Sequence, residues 1–167
     1  LTLNRPERHN AYSAQLRDAL CESLQLALAD ETITTVTLEG NGQSFCSGGD
    51  LAEFGEARDA GVAHLARTTR SAAQLIHALR ERMVCRLHGA CVGAGIELPA
   101  FSGWIEASSS AYFVLPEVAF GLVPGAGGSV SILKRIGRLR FNQLALSGQR
   151  IDAETALTWG LVDQLSD

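Results

Sequence analysis

Residues 44–54 read SFCSGGDLAEF and place two consecutive glycines and an aspartate between a short apolar run and an amphipathic one. A plain β-turn needs only one glycine. Two in succession, Gly48 and Gly49, indicate a backbone that passes close to another group and leaves amide N–H groups free to point at it. The plainer alternative is a β-turn in which Asp50 caps the start of a helix.

Two further glycine-rich turns lie at residues 93–95 and 125–128. The turns at 48–49 and 93–95 each follow a strand-like segment and open a helix-like one, where free amides suit an anion or a developing negative charge. Nucleotide sites fit less well. GACVGAGIE has the spacing GxxxGxG rather than GxGxxG, no acidic residue follows about 20 residues on at a strand end, and no GK[ST] occurs.

Two glutamates stand in apolar surroundings, Glu97 in GIELPAF and Glu117 in VLPEVAFG. Either one alone could be a structural carboxylate paired with an arginine. Each lies within a few residues of a glycine-rich turn, and two carboxylates in a dry pocket beside free amides can move protons next to a polarised carbonyl. Burial would raise the pKa of such a glutamate and make it a usable proton donor near neutral pH.

The composition bounds the class of protein. The chain has 167 residues, of which 46% are hydrophobic and 19% charged, with a net charge of −4, enough for one domain with a core. The densest basic run, LKRIGRLR, alternates with apolar residues, so we expect no nucleic-acid partner. No apolar run is long enough for a membrane span. The four cysteines form no CxxC or zinc pattern, which favours reduced thiols and a cytoplasmic location.

Hydrophobic periodicity predicts alternating helices and strands, and therefore the α/β class. We expect one domain over residues 1–167, preceded by further residues because Leu1–Asn4 reads as the end of a strand. The predicted helices are 13–29, 61–82, a helical region from about 129, and one that begins at an Asp152 cap and ends at Gly160. The predicted strands are 32–40, 83–89, 104–107 and 112–114.

Five motifs, taken in order, resemble the enoyl-CoA hydratase/isomerase (crotonase) superfamily: LNRPERHNA, SFCSGGDLAEF, HGACVGAGIEL, FVLPEVAFGLVPGAGG and LSGQRIDAETALTWGLVDQ. The resemblance covers nearly the whole chain. It implies a spiral of ββα units with two roughly perpendicular sheets, flanked by helices. It also implies C-terminal helices that are largely absent from these 167 residues.

The resemblance also implies site residues and partners. Backbone N–H groups of Gly49 and Ala94 would form an oxyanion hole for an acyl-CoA thioester, which is the substrate. Glu97 would deprotonate a water and Glu117 would supply a proton to Cα. No cofactor beyond the substrate's own coenzyme A, no metal and no membrane is implied, and the family's assemblies imply a homo-trimer or homo-hexamer.

On the coenzyme A side of the first turn, the resemblance implies contacts from Asp50, Leu51 and Ala52. Arg5, Arg8 and His9 could meet the coenzyme A phosphates, or they could be a solvated surface run.

The chain departs from the commonest pattern at residues 102–107, within FSGWIEAS (101–108), where the family more usually has a Cys-Asp pair and basic positions. Pro99 also follows Glu97 closely, which a helix tolerates only in its first turn. The leading hypothesis is an enoyl-CoA hydratase. The alternatives are an isomerase or another acyl-CoA enzyme of the superfamily, and a catalytically idle acyl-CoA-binding or scaffold subunit.

Overall fold

The computed structural model describes residues 1–55, 59 and 69–166, and its strands form two sheets. The large sheet is parallel and contains, from one edge to the other, β1 (Thr2–Leu3), β2 (Val36–Gly40), β3 (Met83–Leu87), β5 (Trp104–Ser108) and β8 (Gln164–Ser166). The small sheet contains β4 (Ala90–Val92), β6 (Tyr112–Val114) and β7 (Ile151–Asp152), with β7 antiparallel to β6.

The α-helices of the described residues lie between these strands. They are α1 (Ala14–Ala29), α2 (Ala72–Ala78), α3 (Ala94–Glu97), α4 (Gly128–Ser147) and α5 (Ala153–Trp159). Short 3-10 turns occupy Pro6–Arg8, Leu51–Glu53, Arg80–Arg82, Pro99–Phe101 and Glu117–Phe120. The α/β class predicted from the sequence is confirmed.

Capping residues account for where the helices begin and end. The Ser13 hydroxyl accepts from the Leu16 N–H at the start of α1, and Asp152 accepts from the Thr155 N–H at the start of α5. Gly160 ends α5 with a φ of 79°, in the left-handed region that favours glycine. These predicted boundaries are confirmed.

Three predicted elements differ from the structure. The strand expected over 83–89 ends at Leu87. The strand expected over 32–40 begins only at Val36. Of the helix expected over 61–82, residues 72–78 are α-helical and 80–82 form a 3-10 turn, while 61–68 lie outside the described residues. The helical periodicity of the sequence continues through residues 79–82. In the structure the chain forms a 3-10 turn there and enters β3 directly.

The chain passes repeatedly from the large sheet into the small one. β3 leads into β4 through His88 and Gly89, and β5 leads into β6 through residues 109–111. Ile105, in the large sheet, and Phe113, in the small sheet, are fully buried and belong to one hydrophobic core. Burying side chains of this size stabilises the fold by about 1.5–3 kcal/mol each.

Three parallel segments stack in the small sheet and end at the same edge. Cys46 is bridged in parallel to Cys91 of β4, and Cys91 pairs in parallel with Phe113 of β6. Because parallel neighbours keep their direction, the residues that follow each segment emerge side by side. These residues are the turns at 48–50, 93–94 and 116–117.

Candidate active site

The Gly48-Gly49 turn is held against the start of the chain. The Tyr12 N–H donates to the Gly48 carbonyl at 2.7 Å, and the Asp50 N–H donates to the Tyr12 carbonyl at 3.2 Å. The Asp50 carboxylate accepts from the Ala52 N–H at 3.1 Å and caps the 3-10 turn that follows. The capping alternative is therefore correct for Asp50, and it leaves the Gly49 N–H without an acceptor among the described residues.

The second glycine-rich turn begins α3. Gly93 has a φ of 50° and a ψ of −118°, which favours glycine. Ala94 is the first residue of α3, so its N–H has no acceptor within the helix, and none elsewhere in the described part of the chain. The parallel bridge between Cys46 and Cys91 brings the two turns together, and a Cβ at Gly93 would lie 3.9 Å from the Gly48 Cα. The two free N–H groups therefore lie on neighbouring segments of one sheet edge.

Glu97 ends α3 and is only 2% exposed. Its Oε2 atom accepts two hydrogen bonds of 2.8 Å, from the backbone N–H groups of Ala126 and Gly128. Gly128 lies so close that a Cβ there would approach Glu97 Cγ to 2.7 Å. The third glycine-rich turn is thus a cradle for the Glu97 carboxylate.

Glu117 begins the 3-10 turn that follows β6, beside the same edge. Its Oε1 atom faces the Gly93 backbone, where a Cβ would lie 2.7 Å from it. Its Oε2 atom is buried and has no hydrogen-bond partner among the described residues. A buried carboxylate oxygen without a donor is costly, so this atom is suited to a proton or to a hydroxyl-bearing ligand.

The surroundings change the proton affinity of both glutamates. The pKa of Glu97 is raised to about 7, chiefly because burial disfavours its charged form and also because Glu117 lies beside it. The Gly128 and Ala126 amides act in the opposite direction. Burial raises the pKa of Glu117 as well, while the neighbouring Glu97 carboxyl group lowers it. The two carboxyl groups are therefore close enough to share a proton near neutral pH.

The structure brings four residues named from the sequence to one edge, namely Gly49, Ala94, Glu97 and Glu117. Asp50 is also at this edge, but its carboxylate faces the protein.

Arg5 pairs with the Asp50 carboxylate at 2.6 Å, and this pairing lowers the pKa of Asp50. Arg5 is thus a partly buried ion-pair partner of the turn rather than a fully solvated side chain, and its contact with a coenzyme A phosphate stays a prediction. His9 contacts the Ser44 hydroxyl through Nδ1 at 3.3 Å. Leu51 is 62% exposed beside the turn, and Ala52 is exposed as well.

Ala126 and Gly128 belong to the candidate site, and sequence reasoning missed them as individuals. The signal was present, because PGAGG was recognised as a third glycine-rich turn before a helix. Its partner was not predicted, since Gly128 and Glu97 are 31 positions apart.

Apolar side chains border the site and remain exposed. They are Leu51, Phe54, Val118, Phe120 and Leu122. Within residues 1–55, 59 and 69–166, no three His, Cys, Asp or Glu side chains cluster so that they could hold a metal ion. The helices of the described part include none with the length and hydrophobicity needed to cross a membrane.

Comparisons of the sequence and of the structure with known proteins find relatives of one and the same family. The family model described as enoyl-CoA hydratase/isomerase matches residues 1–166. The 1,2-epoxyphenylacetyl-CoA isomerase of Escherichia coli is 34% identical over 172 residues, which cover 100% of this chain and 65% of that protein. The 2,3-dehydroadipyl-CoA hydratase of the same organism is 33% identical over 99% of this chain and 64% of its own length.

Solved structures agree with these relatives. An enoyl-CoA hydratase/isomerase from Marinobacter aquaeolei superposes with a TM-score of 0.87 at 30% identity, over 99% of this chain and 66% of that one. An enoyl-CoA hydratase from Mycobacterium smegmatis gives a TM-score of 0.88 at 27% identity, over 98% and 64%. The fold is therefore the crotonase fold, and the 167 residues span about 65% of the length of the relatives that they match.

Proposed function

The chain belongs to the enoyl-CoA hydratase/isomerase family, and we propose that it adds water across the double bond of a 2-enoyl-CoA thioester. One observation carries the proposal: two glutamates with raised pKa values lie at the sheet edge that also carries two unpaired backbone N–H groups. Hydration needs both parts, because water must lose a proton, Cα must gain one, and the thioester oxygen must carry charge between these events.

In this proposal the N–H groups of Gly49 and Ala94 bind the thioester oxygen. They are backbone donors fixed by a strand register and by a helix start, so they need little reorganisation when charge develops. Loss of one such donor typically raises the barrier by about 3–4 kcal/mol. Ala94 serves as well as a glycine would, because only its N–H takes part.

The two glutamates carry the proton transfers. Near neutral pH the pair holds one proton, which supplies one base and one acid. Glu97 accepts the proton of the attacking water, and Glu117 delivers a proton to Cα. Because the Glu117 carboxylate raises the proton affinity of Glu97, ionisation of one carboxyl group disfavours ionisation of its neighbour. The roles exchange in dehydration.

Coenzyme A recognition and assembly belong to the same proposal. Leu51, Ala52 and the Asp50 backbone border the turn and would line the coenzyme A side. Exposed leucines on α4 and α5, such as Leu146 and Leu157, favour a homo-trimer or homo-hexamer. Analytical ultracentrifugation tests this, and a fully active monomer would contradict it. The four free, buried cysteines support a reducing location such as the cytoplasm.

An isomerase is the second candidate, because a relative of nearly equal identity carries that name. It would move a proton along the acyl chain without adding water, and one glutamate would suffice. Fold and family do not separate the two reactions.

The test is to incubate the protein with a panel of 2-enoyl-CoA and 3-hydroxyacyl-CoA thioesters and follow the absorbance of the conjugated thioester. We expect loss of absorbance with enoyl substrates and gain with hydroxyacyl substrates. Conversion of 3-enoyl-CoA to 2-enoyl-CoA without hydration would favour the isomerase. If no thioester reacts but acyl-CoA still binds, the protein is an idle binding subunit.

A further inference from the structure

Ser131 contacts Glu97 from a direction that the proposed reaction does not use. It lies in the first turns of α4, is 2% exposed, and its hydroxyl donates to the main-chain carbonyl of Glu97 at 2.8 Å. The Gly127 carbonyl lies farther from the same hydroxyl, at 3.3 Å. A serine buried in a helix usually bonds only within its own helix, so this bond to α3 calls for an explanation.

Pro99 provides the reason. In a continuous α-helix the Phe101 N–H would donate to the Glu97 carbonyl. Pro99 instead begins a 3-10 turn, and the Phe101 N–H donates to the Leu98 carbonyl at 3.1 Å. The Ser131 hydroxyl takes the place of that backbone donor at a buried carbonyl.

The start of α4 and the turn that precedes it therefore bind Glu97 at both ends. Ala126 and Gly128 bind its carboxylate, and Ser131 binds its main-chain oxygen. We infer that Ser131 is a positioning residue, which ties α4 to Glu97 and thereby keeps Glu97 Oε2 on the two amides. The inference rests on the proposed function, in which Glu97 is the base.

Loss of the Ser131 contact should shift the pKa of Glu97 in a direction that can be predicted. The ionisable group facing Glu97 is Glu117, which raises its pKa, while the Ala126 and Gly128 amides lower it. If α4 moves away, the hydrogen bonds from the Ala126 and Gly128 amides to the Glu97 carboxylate weaken, while the repulsion by Glu117 remains. The proton affinity of Glu97 then rises, and the limb of the kcat–pH profile that lies near pH 7 moves to higher pH.

The experiment compares Ser131→Ala with Ser129→Ala. Ser129 lies in the same helix, is exposed, and its hydroxyl has no hydrogen bond with the described residues. We expect Ser131→Ala to lower kcat by about 10- to 100-fold with little change in KM, as a displaced catalytic group does. The limb near pH 7 should move up by about one pH unit. Ser129→Ala should have the same kcat, KM and pH profile as the unsubstituted protein.

A background lacking the base separates positioning from simple destabilisation. In Glu97→Gln protein, Ser131→Ala should have no further effect on kcat, since its route of action is gone. The inference would be overturned if Ser131→Ala lowered kcat in that background by the same factor as in protein with Glu97. If Ser131→Ala does not fold, Ser131→Cys keeps the volume with a weaker donor and should show the same shifts at smaller size.

A measurement without substrate keeps the inference separate from the proposed function. The ¹³C carboxyl signal of Glu97, titrated in protein without a ligand, should report a higher pKa in Ser131→Ala. An unchanged titration overturns the positioning role whatever the activity is. A raised pKa in a protein that hydrates no enoyl-CoA would uphold the positioning role and overturn the proposed function.

Discussion

The turn at Gly49 and the pair Glu97–Glu117 lie at the same edge of the small sheet but obtain their chemistry in different ways. The turn is made of backbone, is partly exposed, and is held by short contacts to Tyr12 and Arg5. The pair is made of side chains, with Glu97 almost fully buried, and depends on the amides that precede and open α4. A backbone N–H is a donor at any pH, whereas a carboxyl group needs burial and neighbours to become a usable acid or base.

The glutamate pair should show the largest effect. Glu97→Gln and Glu117→Gln each remove one proton carrier, so we expect kcat to fall by about 10²- to 10⁴-fold while acyl-CoA affinity changes little. Steady-state kinetics and a binding titration measure both quantities, with exposed Glu154→Gln as the control. Hydration that survives in Glu97→Gln and not in Glu117→Gln would favour the single-glutamate isomerase, and full activity in both variants would remove the mechanism.

The turn can be tested by taking away one donor. Gly49→Pro removes the N–H, and we expect kcat to fall by about 10²- to 10³-fold for every substrate. Gly49→Ala keeps the N–H, and its Cβ would meet only the ring of the half-exposed Phe54, at 2.9 Å. The alanine variant should therefore retain most of the activity. Normal turnover in a proline variant with native circular dichroism would show that the two glycines only form a turn.

The contact between α4 and Glu97 predicts an intermediate effect. An alanine at Gly128 has an allowed backbone, but its Cβ would lie 2.7 Å from Glu97 Cγ and would push the carboxylate off its amides. We expect kcat to fall by roughly 10- to 100-fold. Gly125→Ala is the matched control, because its Cβ would have 3.8 Å of clearance. Equal activities of the two variants would mean that the amide contacts to the Glu97 carboxylate do not contribute to catalysis.

The shared proton predicts a bell-shaped pH dependence. With the pKa of Glu97 raised to about 7 and that of Glu117 also raised, the rate should fall at low pH, where both are protonated and no base remains. It should also fall as pH rises above about 7, where both are ionised and no acid remains. The kcat–pH profile measures this, and a flat rate from about pH 5 to 9 contradicts a shared proton.

The smallest effect is expected at the Arg5–Asp50 pair, which supports the turn. Arg5 lowers the folded-state pKa of Asp50, so the pair stabilises the protein above the unfolded-state pKa and ceases to do so as pH falls through the folded-state pKa. Asp50→Asn should lower Tm at pH 7 by at most about 4 °C and change it little near pH 2. An equal decrease at both pH values would mean that the lost contact is not electrostatic.

Much of this molecule follows from local chemistry that the sequence alone displays. Ser13, Asp152 and Gly160 marked helix ends correctly, because capping depends on residues within one turn. The glycine turns and the two glutamates were visible as types of residue in an apolar setting.

Only the tertiary structure decided how these parts meet. Glu97 and its donors Ala126, Gly128 and Ser131 are 29, 31 and 34 positions apart, and Arg5 and Asp50 are 45 apart. The parallel register of Cys46 with Cys91, and of Cys91 with Phe113, sets three turns side by side. The raised pKa values follow from that meeting, because desolvation and charge act through space. Local propensity carries no information about which distant segment will supply the neighbour.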